Sequence, residues 1–369
     1  MKLLWFEAIR SIQLSYGRLE YIYASFTDTC KSSSPCNWAF GPFFKMKTGT
    51  ILFERRIWLA LALGVLGWLA SGASSSKAAP KPDGARAPMA ALSRTLNFDD
   101  KTTIGTLTVR DNNDQMISLG RACGKVVVPH APLFMTATYD LIIHPELLDK
   151  LPADAFFAIC CRNLQEDCSK LPAHMARFTG ARHVEFHNCD VDDNALKKLA
   201  PMKSVEYLDL IGTETNFSCL SELRQMSLIN TLCLGFNAMD KQNLKYLQDF
   251  PHLTVVYLDE TQLSDQDLEQ IVKIKQLEHL SIAGNLKVTG RGIALLKACK
   301  NLKIVDLREL RITVKDILQL HDLPIISMRL PGFSEPDRAK LRAAFPKAGI
   351  SFDSHEVDND MRQLFAPLH

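Results

Sequence analysis

The sequence lacks the short motifs that mark the common catalytic and metal-binding sites. Its 10 cysteines include no Cys-x-x-Cys pair, so neither a zinc ribbon nor a thioredoxin-type redox site has support. It contains no G-x-S-x-G, no G-x-x-x-x-G-K-[ST], no H-E-x-x-H and no protein-kinase motif set. We therefore predict a protein that is not an enzyme, with no catalytic residue, no cofactor and no metal site.

An excess of charge of one sign is also missing. The 369 residues carry 43 Lys+Arg against 41 Asp+Glu, a formal net charge of +2, which gives no electrostatic case for a nucleic-acid partner. Hydrophobic residues make up 47% and charged residues 23%, as in ordinary folded proteins. The chain is too long, and its cysteines too scattered, for a small disulfide scaffold, so we interpret most cysteines as small buried hydrophobes.

One uncharged apolar run lies well before the middle of the chain. Arg55 and Arg56 precede it, its apolar core covers residues 57–69, and small residues follow at 71–73. This is the pattern of a signal peptide, and the arginines would keep the preceding segment in the cytoplasm. The core is shorter than the roughly 20 residues that a membrane span needs. Cleavage, and retention as a membrane anchor through residues 57–73, both stay open.

We assign residues 46–73 as a signal peptide or signal anchor and the Ala/Ser/Pro/Lys-rich residues 74–95 as a flexible linker. Ala73 stands where a lipid-attached cysteine would be needed, so no lipid anchor is expected. A signal normally begins a chain, so we expect translation to start at Met46 and leave residues 1–45 unassigned. The protein should then be extracytoplasmic, secreted or periplasmic, or anchored in the membrane by a single span.

A short strand pattern recurs at a near-constant period from about residue 180 onward. Successive units begin 24, 24, 24, 24, 25 and 23 positions apart, and their first apolar residues are Val184, Leu208, Leu232, Val256, Leu280, Val305 and Met328. Five positions further on, five units place a side chain that can hydrogen-bond the turn backbone, and these are Cys189, Thr213, Asn237, Thr261 and Asn285. Helical spacing follows, with Ser264 predicted as one N-cap.

This pattern resembles the leucine-rich-repeat family, L-x-x-L-x-L-x-x-N/C-x-L, in its bacterial form of about 24 residues. The resemblance implies an α/β fold, a leucine-rich-repeat solenoid over residues 155–355. A curved parallel β-sheet would line its concave side and helices its convex side. Residues 336–345 and 350–352 would form the closing helix and strand, and residues 356–369 a tail.

The units before residue 180 are less regular. Residues 159–161 lie 25 positions before Val184 and suggest a divergent repeat. We interpret residues 96–154 as an N-terminal cap or degenerate repeats, with strands predicted at 106–109, 125–128 and 139–143. Cys161 is expected in the core and the adjacent Cys160 outside it, because neighbouring strand residues point to opposite faces.

The same alternation predicts which residues form the concave floor. The candidate partner-binding residues are His183, Glu185, His187, Tyr207, Asp209, Cys233, Tyr257, Asp259, His279, Asp306, Arg308 and Arg329. Their carboxylates would make the floor mildly acidic, and Tyr207 and Tyr257 would act as aromatic anchors. We therefore expect a protein or peptide partner with a basic segment, and no nucleic acid.

Two alternatives compete with this interpretation. A cytosolic adaptor of the ubiquitin-ligase substrate-receptor type would need an F-box-like helical segment ahead of the repeats, where the apolar run lies instead. His183, Glu185 and His187 carry groups that can bind zinc, but a flat sheet spreads its side chains apart. A solvated recognition surface is therefore favoured there. The sequence does not indicate the identity of the partner, the disulfide status of the cysteines or the oligomeric state.

Overall fold

The computed structural model describes residues 93–352, all within one structural unit. The predicted segments 1–45, 46–73 and 356–369 lie outside the described residues. The predicted linker 74–95 reaches them only at residues 93–95, which begin a strand instead. Among residues 93–352 no helix has the length and hydropathy needed to cross a membrane.

The described part of the chain contains 14 strands. They are β1 Ser93–Asn97, β2 Gly105–Arg110, β3 Met116–Arg121, β4 Lys125–Pro129, β5 Leu133–Ala137, β6 Ala158–Arg162, β7 His183–His187, β8 Tyr207–Asp209, β9 Thr231–Cys233, β10 Val255–Tyr257, β11 His279–Ser281, β12 Ile304–Asp306, β13 Ser327–Leu330 and β14 Gly349–Phe352. β1 and β4 form a separate antiparallel pair. The others form a 12-stranded sheet in the order β14 to β5, then β2 and β3.

Short helices separate most of the sheet strands. The α-helices are α1 Tyr139–Ile143, α2 Leu171–Met175, α3 Asp193–Leu196, α4 Leu220–Leu223, α5 Asp265–Ile271, α6 Gly290–Leu295, α7 Val314–Leu318 and α8 Glu335–Ala344. The 3-10 helices are Pro145–Lys150, Lys197–Leu199, Lys241–Asp249 and Leu296–Ala298. Helices of neighbouring repeats contact one another, as α5 and α6 do, so they form a second layer against the sheet.

The strands from β5 to β14 run parallel, each paired with the next along the chain. The register aligns the recurring leucine positions, so that Leu208 pairs with Val184 on one side and Leu232 on the other. These side chains are fully buried in one continuous core. Burial of one such side chain contributes about 1.5–3 kcal/mol, and only stacked repeats provide it. The predicted α/β solenoid with a parallel sheet is thus confirmed for the repeat region.

Buried asparagines join consecutive repeats, as predicted. Asn285 is fully buried, and its Nδ2 donates to the carbonyl oxygens of Leu258 and Ile282, each at 2.8 Å. Its Oδ1 accepts from the Leu263 N–H at 2.8 Å. One side chain therefore satisfies three backbone groups, two of them in the preceding repeat, that the sheet leaves unpaired. Asn237 makes the equivalent 2.8 Å bond to the Leu210 carbonyl oxygen.

The N-cap of α5 also follows the prediction. The Asp267 carboxylate accepts from the backbone N–H of Ser264 at 2.8 Å and from its hydroxyl at 2.7 Å. A related contact crosses between repeats, because Asp265 accepts from the N–H and the hydroxyl of Thr289, the N-cap of α6. Such bonds satisfy N–H groups that the first helical turn leaves open, and they tie one helix start to the next.

A left-handed turn recurs one residue before the asparagine position, a feature that the sequence pattern did not predict. The residues with positive φ are Asn163 (56°), Asn188 (51°), Gly212 (63°), Phe236 (59°), Glu260 (51°), Gly284 (72°) and Glu309 (60°). Only two of these are glycine, so composition gave no signal. The backbone conformation is imposed by the stacked repeats, although it costs a non-glycine residue roughly 1–2 kcal/mol.

Several predicted elements need correction. Residues 139–143, predicted as a strand, form helix α1, in which Leu141 is buried while Tyr139 and Ile143 are exposed. A five-residue apolar run is too short to distinguish the period of a strand from the period of a helix. The adjacent strand β5 was not predicted, and its parallel pairing with β6 places the start of the repeat ladder inside the segment 96–154. The predicted strands at 106–109 and 125–128 lie within β2 and β4.

The two ends of the sheet are built differently. At the N-terminal end, β2 pairs antiparallel with β5 and with β3. These strands continue the ladder but end the parallel repeat, as a cap does. At the C-terminal end, α8 and β14 lie within one residue of their predicted positions at 336–345 and 350–352. Arg338 and Arg342 of α8 lie over the ring of Phe352, and these two side chains thereby partly cover the last strand.

Candidate functional site

Each repeat contributes alternate residues to the sheet face that lies away from the helix layer, here called the open face. Three rows cross it, because the strands pair in register. The first row is His183, Tyr207, Thr231, Val255, His279, Ile304 and Ser327. The middle row is Cys160, Glu185, Asp209, Cys233, Tyr257, Ser281, Asp306 and Arg329. The third row is Arg162, His187, Ile211, Gly235, Asp259, Ala283 and Arg308.

The middle row is almost entirely buried, although it does not face the main core. Cys233 is 0% exposed, Tyr257 2% and Asp306 5%. Cys233 and Tyr257 form a second apolar cluster with Ile211, against which Tyr207 and Val255 pack. These residues lie on the open face, as the alternation predicts, but their neighbours cover most of their surface in the free chain. The accessible side chains are those of the first row and, in part, the third.

The N-terminal half of the open face carries a buried carboxylate with cationic neighbours. Glu185 is 3% exposed and accepts from Arg162 Nη2 at 2.8 Å and from the ring of His183. Burial alone would raise the pKa of Glu185, but the hydrogen bonds from His183 and Arg162 outweigh it and hold the pKa at about 2. The Arg162 side chain is 53% exposed. The charge offered to solvent here is that of the guanidinium group.

The next carboxylate, Asp209, repeats this arrangement. It is 5% exposed and accepts from His187 Nδ1 at 3.0 Å and from the N–H of Ile211 at 2.8 Å. The hydrogen bond from Asp209 raises the pKa of His187 above its ordinary value, against the opposing effect of burial. His187 lies above its carboxylate, with its side chain 37% exposed.

At the C-terminal half, Asp306 lies beneath two arginines. Arg308 Nη2 donates to its carboxylate at 2.7 Å, and Arg329 Nη1 lies 3.9 Å from the same oxygen. The arginine side chains are 16% and 17% exposed against 7% for Asp306. The predicted acidic floor is therefore corrected for Glu185, Asp209 and Asp306, because these carboxylates are buried and their outward neighbours are cations or imidazoles. Asp259, in the third row, stays partly exposed.

The aromatic side chains of the open face are held by histidines. Tyr207 stacks on His183, with ring centroids 4.1 Å apart, and Tyr257 meets His279 edge to face at 4.9 Å. Burial raises the pKa of both tyrosines. Tyr207 keeps partial exposure, whereas Tyr257 does not. Of the two predicted aromatic anchors, only Tyr207 can be touched by a partner without rearrangement.

A small cavity lies next to Tyr257. Its volume is about 40 Å³, and His279, Asp306 and Arg329 contribute to its walls. A space of this size holds one or a few water molecules and is far smaller than the pockets that enclose organic ligands. Burial lowers the pKa of His279 to about 4, so its ring is neutral at ordinary pH. Burial also raises the pKa of Asp259, in the third row, to about 6.

One group of metal-ligand side chains converges on the part of the open face that the structure describes. A sulfur, a ring nitrogen and a carboxylate oxygen of Cys160, His183 and Glu185 all lie within 4.8 Å of one another. Cys160 was expected outside the core and does lie on the open face, but it is only 6% exposed. The 25-residue spacing between Ile159 and Val184 is the sequence signal that places Cys160 beside Glu185. The eight cysteines among residues 93–352 form no disulfide.

Comparison with known proteins gives structural resemblance only. Neither a protein-family model nor a curated protein sequence matches the chain. An internalin from Listeria monocytogenes is 14% identical, with 60% of this chain and 58% of that one covered and a TM-score of 0.43. An internalin C2 from the same species is 18% identical over 56% of this chain and 84% of that one, with a TM-score of 0.43. A leucine-rich-repeat protein from Leptospira interrogans is 14% identical over 56% and 62%, with a TM-score of 0.34.

The fold is leucine-rich-repeat-like, an α/β fold with a parallel sheet. The parallel strand in every repeat and the asparagines that join repeats are the observations within this chain that carry this assignment. The chain spans less than two thirds of the length of the first internalin and of the Leptospira protein. The bacterial repeat class stays a prediction.

Proposed function

We propose that this chain is a non-enzymatic interaction module that binds a protein partner on its open face. The observation that carries the proposal is the first row. Apart from His279, which is buried, its members are partly exposed, and they are His183, Tyr207, Thr231, Val255, Ile304 and Ser327. Parallel strands lie about 4.8 Å apart, so the row is a track across the repeats, interrupted at the buried His279. A polypeptide segment can contact several repeats at once along such a track.

The chemistry of the open face favours a partner with an apolar centre and acidic flanks. Tyr207, Thr231 and Val255 give an apolar middle, supported from below by the second apolar cluster. Arg162 and Arg308 stand on either side of that middle, with their carboxylate partners buried beneath them. A basic segment, as predicted from the sequence, would meet these cations first. Like charges brought together at an interface cost binding energy, so an acidic segment suits this face better.

Photo-crosslinking tests this proposal in the native host. A photoreactive residue at Val255, in the first row, should form a covalent adduct with a protein partner. The same residue at Gln266, exposed on helix α5, should not. Thr231 pairs with Val255 in the sheet, so Thr231→Arg should reduce the yield of the Val255 adduct about 10-fold or more, because a new charge disrupts a packed interface centre. Gln266→Arg is the matched control and should leave the yield unchanged.

Two results would reject the open face as the binding surface. One is an equal adduct yield from the photoreactive residue at Gln266 and at Val255. The other is a Val255 adduct that survives Thr231→Arg in a chain whose urea midpoint is unchanged. Either would indicate that the partner binds the helix layer or another part of the protein.

We further propose that the module acts outside the cytoplasm. The support is the run at 57–69 after Arg55 and Arg56, since this is the order of a signal sequence. N-terminal sequencing of the protein from fractionated host cells should give a mature end near residue 74 in an exported fraction, or an intact segment 57–73 in the membrane. A full-length chain in the cytosolic fraction would refute export and favour the adaptor alternative.

A further inference from the structure

The pairing of β6 with β7 creates a compact cluster at the N-terminal end of the open face. Cys160 and Glu185 are direct partners in the parallel register, so their side chains lie side by side. His183 lies two residues before Glu185 and therefore on the same face. Glu185 and Cys160 are 3% and 6% exposed, whereas the His183 side chain is 24% exposed. The cluster is closed from below and reaches solvent on the His183 side.

These donors are of the types that zinc uses. Zinc binds cysteine sulfur, histidine nitrogen and carboxylate oxygen in tetrahedral sites, and three protein ligands plus one open position is a common arrangement. We infer that Cys160, His183 and Glu185 form a zinc site whose fourth position opens toward solvent on the open face. The geometry of the three donors does not rest on the proposed partner binding, although His183 also belongs to the first row.

The present spacing fits the ion with a small adjustment. The ring Nε2 of His183 is 2.5 Å from Glu185 Oε1, and a zinc ion would replace the proton between them. That proton moves through water to Nδ1 of a neutral ring, or passes to bulk water from a protonated ring. Bonds of about 2.0–2.1 Å at a tetrahedral angle set these two atoms about 3.3 Å apart. The His183 ring is partly exposed and can move outward by the difference. Zinc binding also forms a Zn–S bond to Cys160, whose S–H bond breaks, and the proton passes to water.

Neighbouring side chains already orient the ligands. Arg162 Nη2 donates to Glu185 Oε1 and its Nε donates to Oε2, which fixes the plane of the carboxylate. Tyr207 stacks on the His183 ring with an interplanar angle of 16°. In metal sites, neighbouring groups typically orient the ligand carboxylates and imidazoles in this way. Arg162 also compensates the carboxylate charge while the site is empty.

Cobalt substitution in the reduced full-length chain tests the site. Cobalt(II) at a site with one thiolate gives a near-ultraviolet charge-transfer band, and zinc should displace it at one equivalent per chain. Cys160→Ser should abolish the band. His183→Gln should weaken zinc binding by more than the about 10–100-fold that loss of an outer partner costs. Cys233→Ser and His279→Gln are matched controls from the same face, and both should keep the band and the wild-type affinity.

The inference is overturned if the wild-type chain shows no thiolate band. It is equally overturned if Cys160→Ser keeps the band or if Cys233→Ser loses it as well. X-ray absorption on the zinc-loaded wild-type chain covers the case in which the variants fail to fold. One sulfur with nitrogen and oxygen neighbours is expected, and either no sulfur or several would rule out this ligand set. Zinc binding with an unchanged crosslink at Val255 would separate this site from partner recognition.

Discussion

Replacing Asn285 with alanine is expected to lower the free energy of unfolding by about 3 kcal/mol, which is a large fraction of a typical domain's stability. The side chain is fully buried and bonds the carbonyl oxygens of Leu258 and Ile282 and the N–H of Leu263. Alanine leaves the Ile282 carbonyl oxygen and the Leu263 N–H without a partner, whereas the Leu258 carbonyl oxygen keeps the Thr261 hydroxyl at 2.8 Å. Each unsatisfied buried group costs about 1–3 kcal/mol, so the two together account for a loss of about 3 kcal/mol.

Urea unfolding followed by circular dichroism measures this effect. Asn301→Ala is the matched control, because Asn301 is exposed and makes one side-chain bond, to the Lys275 carbonyl oxygen at 3.1 Å. That change should alter the free energy of unfolding by less than about 0.5 kcal/mol. If Asn285→Ala proved no more destabilising than Asn301→Ala, the asparagine position would be a marker of the repeat and not a source of its stability.

Acidification is expected to destabilise the protein through His279. Burial lowers the folded-state pKa of this imidazole from 6.5 to about 4. Between pH 6.5 and pH 4 the His279 ring is protonated in the unfolded chain but stays neutral in the folded chain. Its contribution to the free energy of unfolding is therefore fully present above pH 6.5 and is lost as the pH falls toward 4. One pKa unit corresponds to about 1.4 kcal/mol, so the loss amounts to about 3 kcal/mol.

The measurement is the difference in free energy of unfolding between the wild type and His279→Gln, taken at pH 7 and at pH 4. Between pH 7 and pH 4 the free energy of unfolding of the wild type should fall by about 3 kcal/mol relative to that of His279→Gln. Asp259 titrates in the same range with the opposite sign, because its pKa is raised to about 6, and taking the difference cancels its contribution. Substituting glutamine for the exposed His252 provides the control. A wild-type advantage that stays constant between the two pH values would show that the His279 ring does not resist protonation.

Most of the fold could be predicted from the repeat period of the sequence. Val184, Leu208 and Leu232 are apolar because each must fill the same layer of the core, and their constant spacing is sufficient to predict the stacking. Asn237 and Asn285 were identified for a related reason. A buried amide in a solenoid has one backbone geometry to satisfy, so its position in the repeat fixes its partners.

Local segments outside the period were harder to predict. Residues 139–143 are apolar enough for a strand, yet they form α1, in which Leu141 is buried, Ile142 packs partly against the core, and Tyr139 and Ile143 are exposed. β5 was missed, although Leu133 and Met135 are buried and alternate with more exposed residues, since no repeat signal supported so short a run. The left-handed position at Phe236 and Glu260 gave no compositional signal at all, because stacking and not residue type imposes it.

The candidate site was also predicted only in part from the sequence. Alternation along a strand assigned each side chain to the correct face, but it could not determine how deeply neighbours from adjacent repeats would cover it. Tyr257 was predicted as an anchor and is buried by residues from other strands. Glu185 and Asp306 were predicted to make the floor acidic, but Arg162 and Arg308 lie above them.

The sequence by itself determined the period of the chain, the parallel sheet, the core positions and the side chains that join repeats. Each of these follows from a rule that holds within one repeat or between identical positions of two repeats. Only the tertiary structure decided which open-face side chains reach solvent, which charges are compensated, and that Cys160, His183 and Glu185 converge. Those properties depend on contacts between non-equivalent side chains of neighbouring strands, and a period carries no information about such contacts.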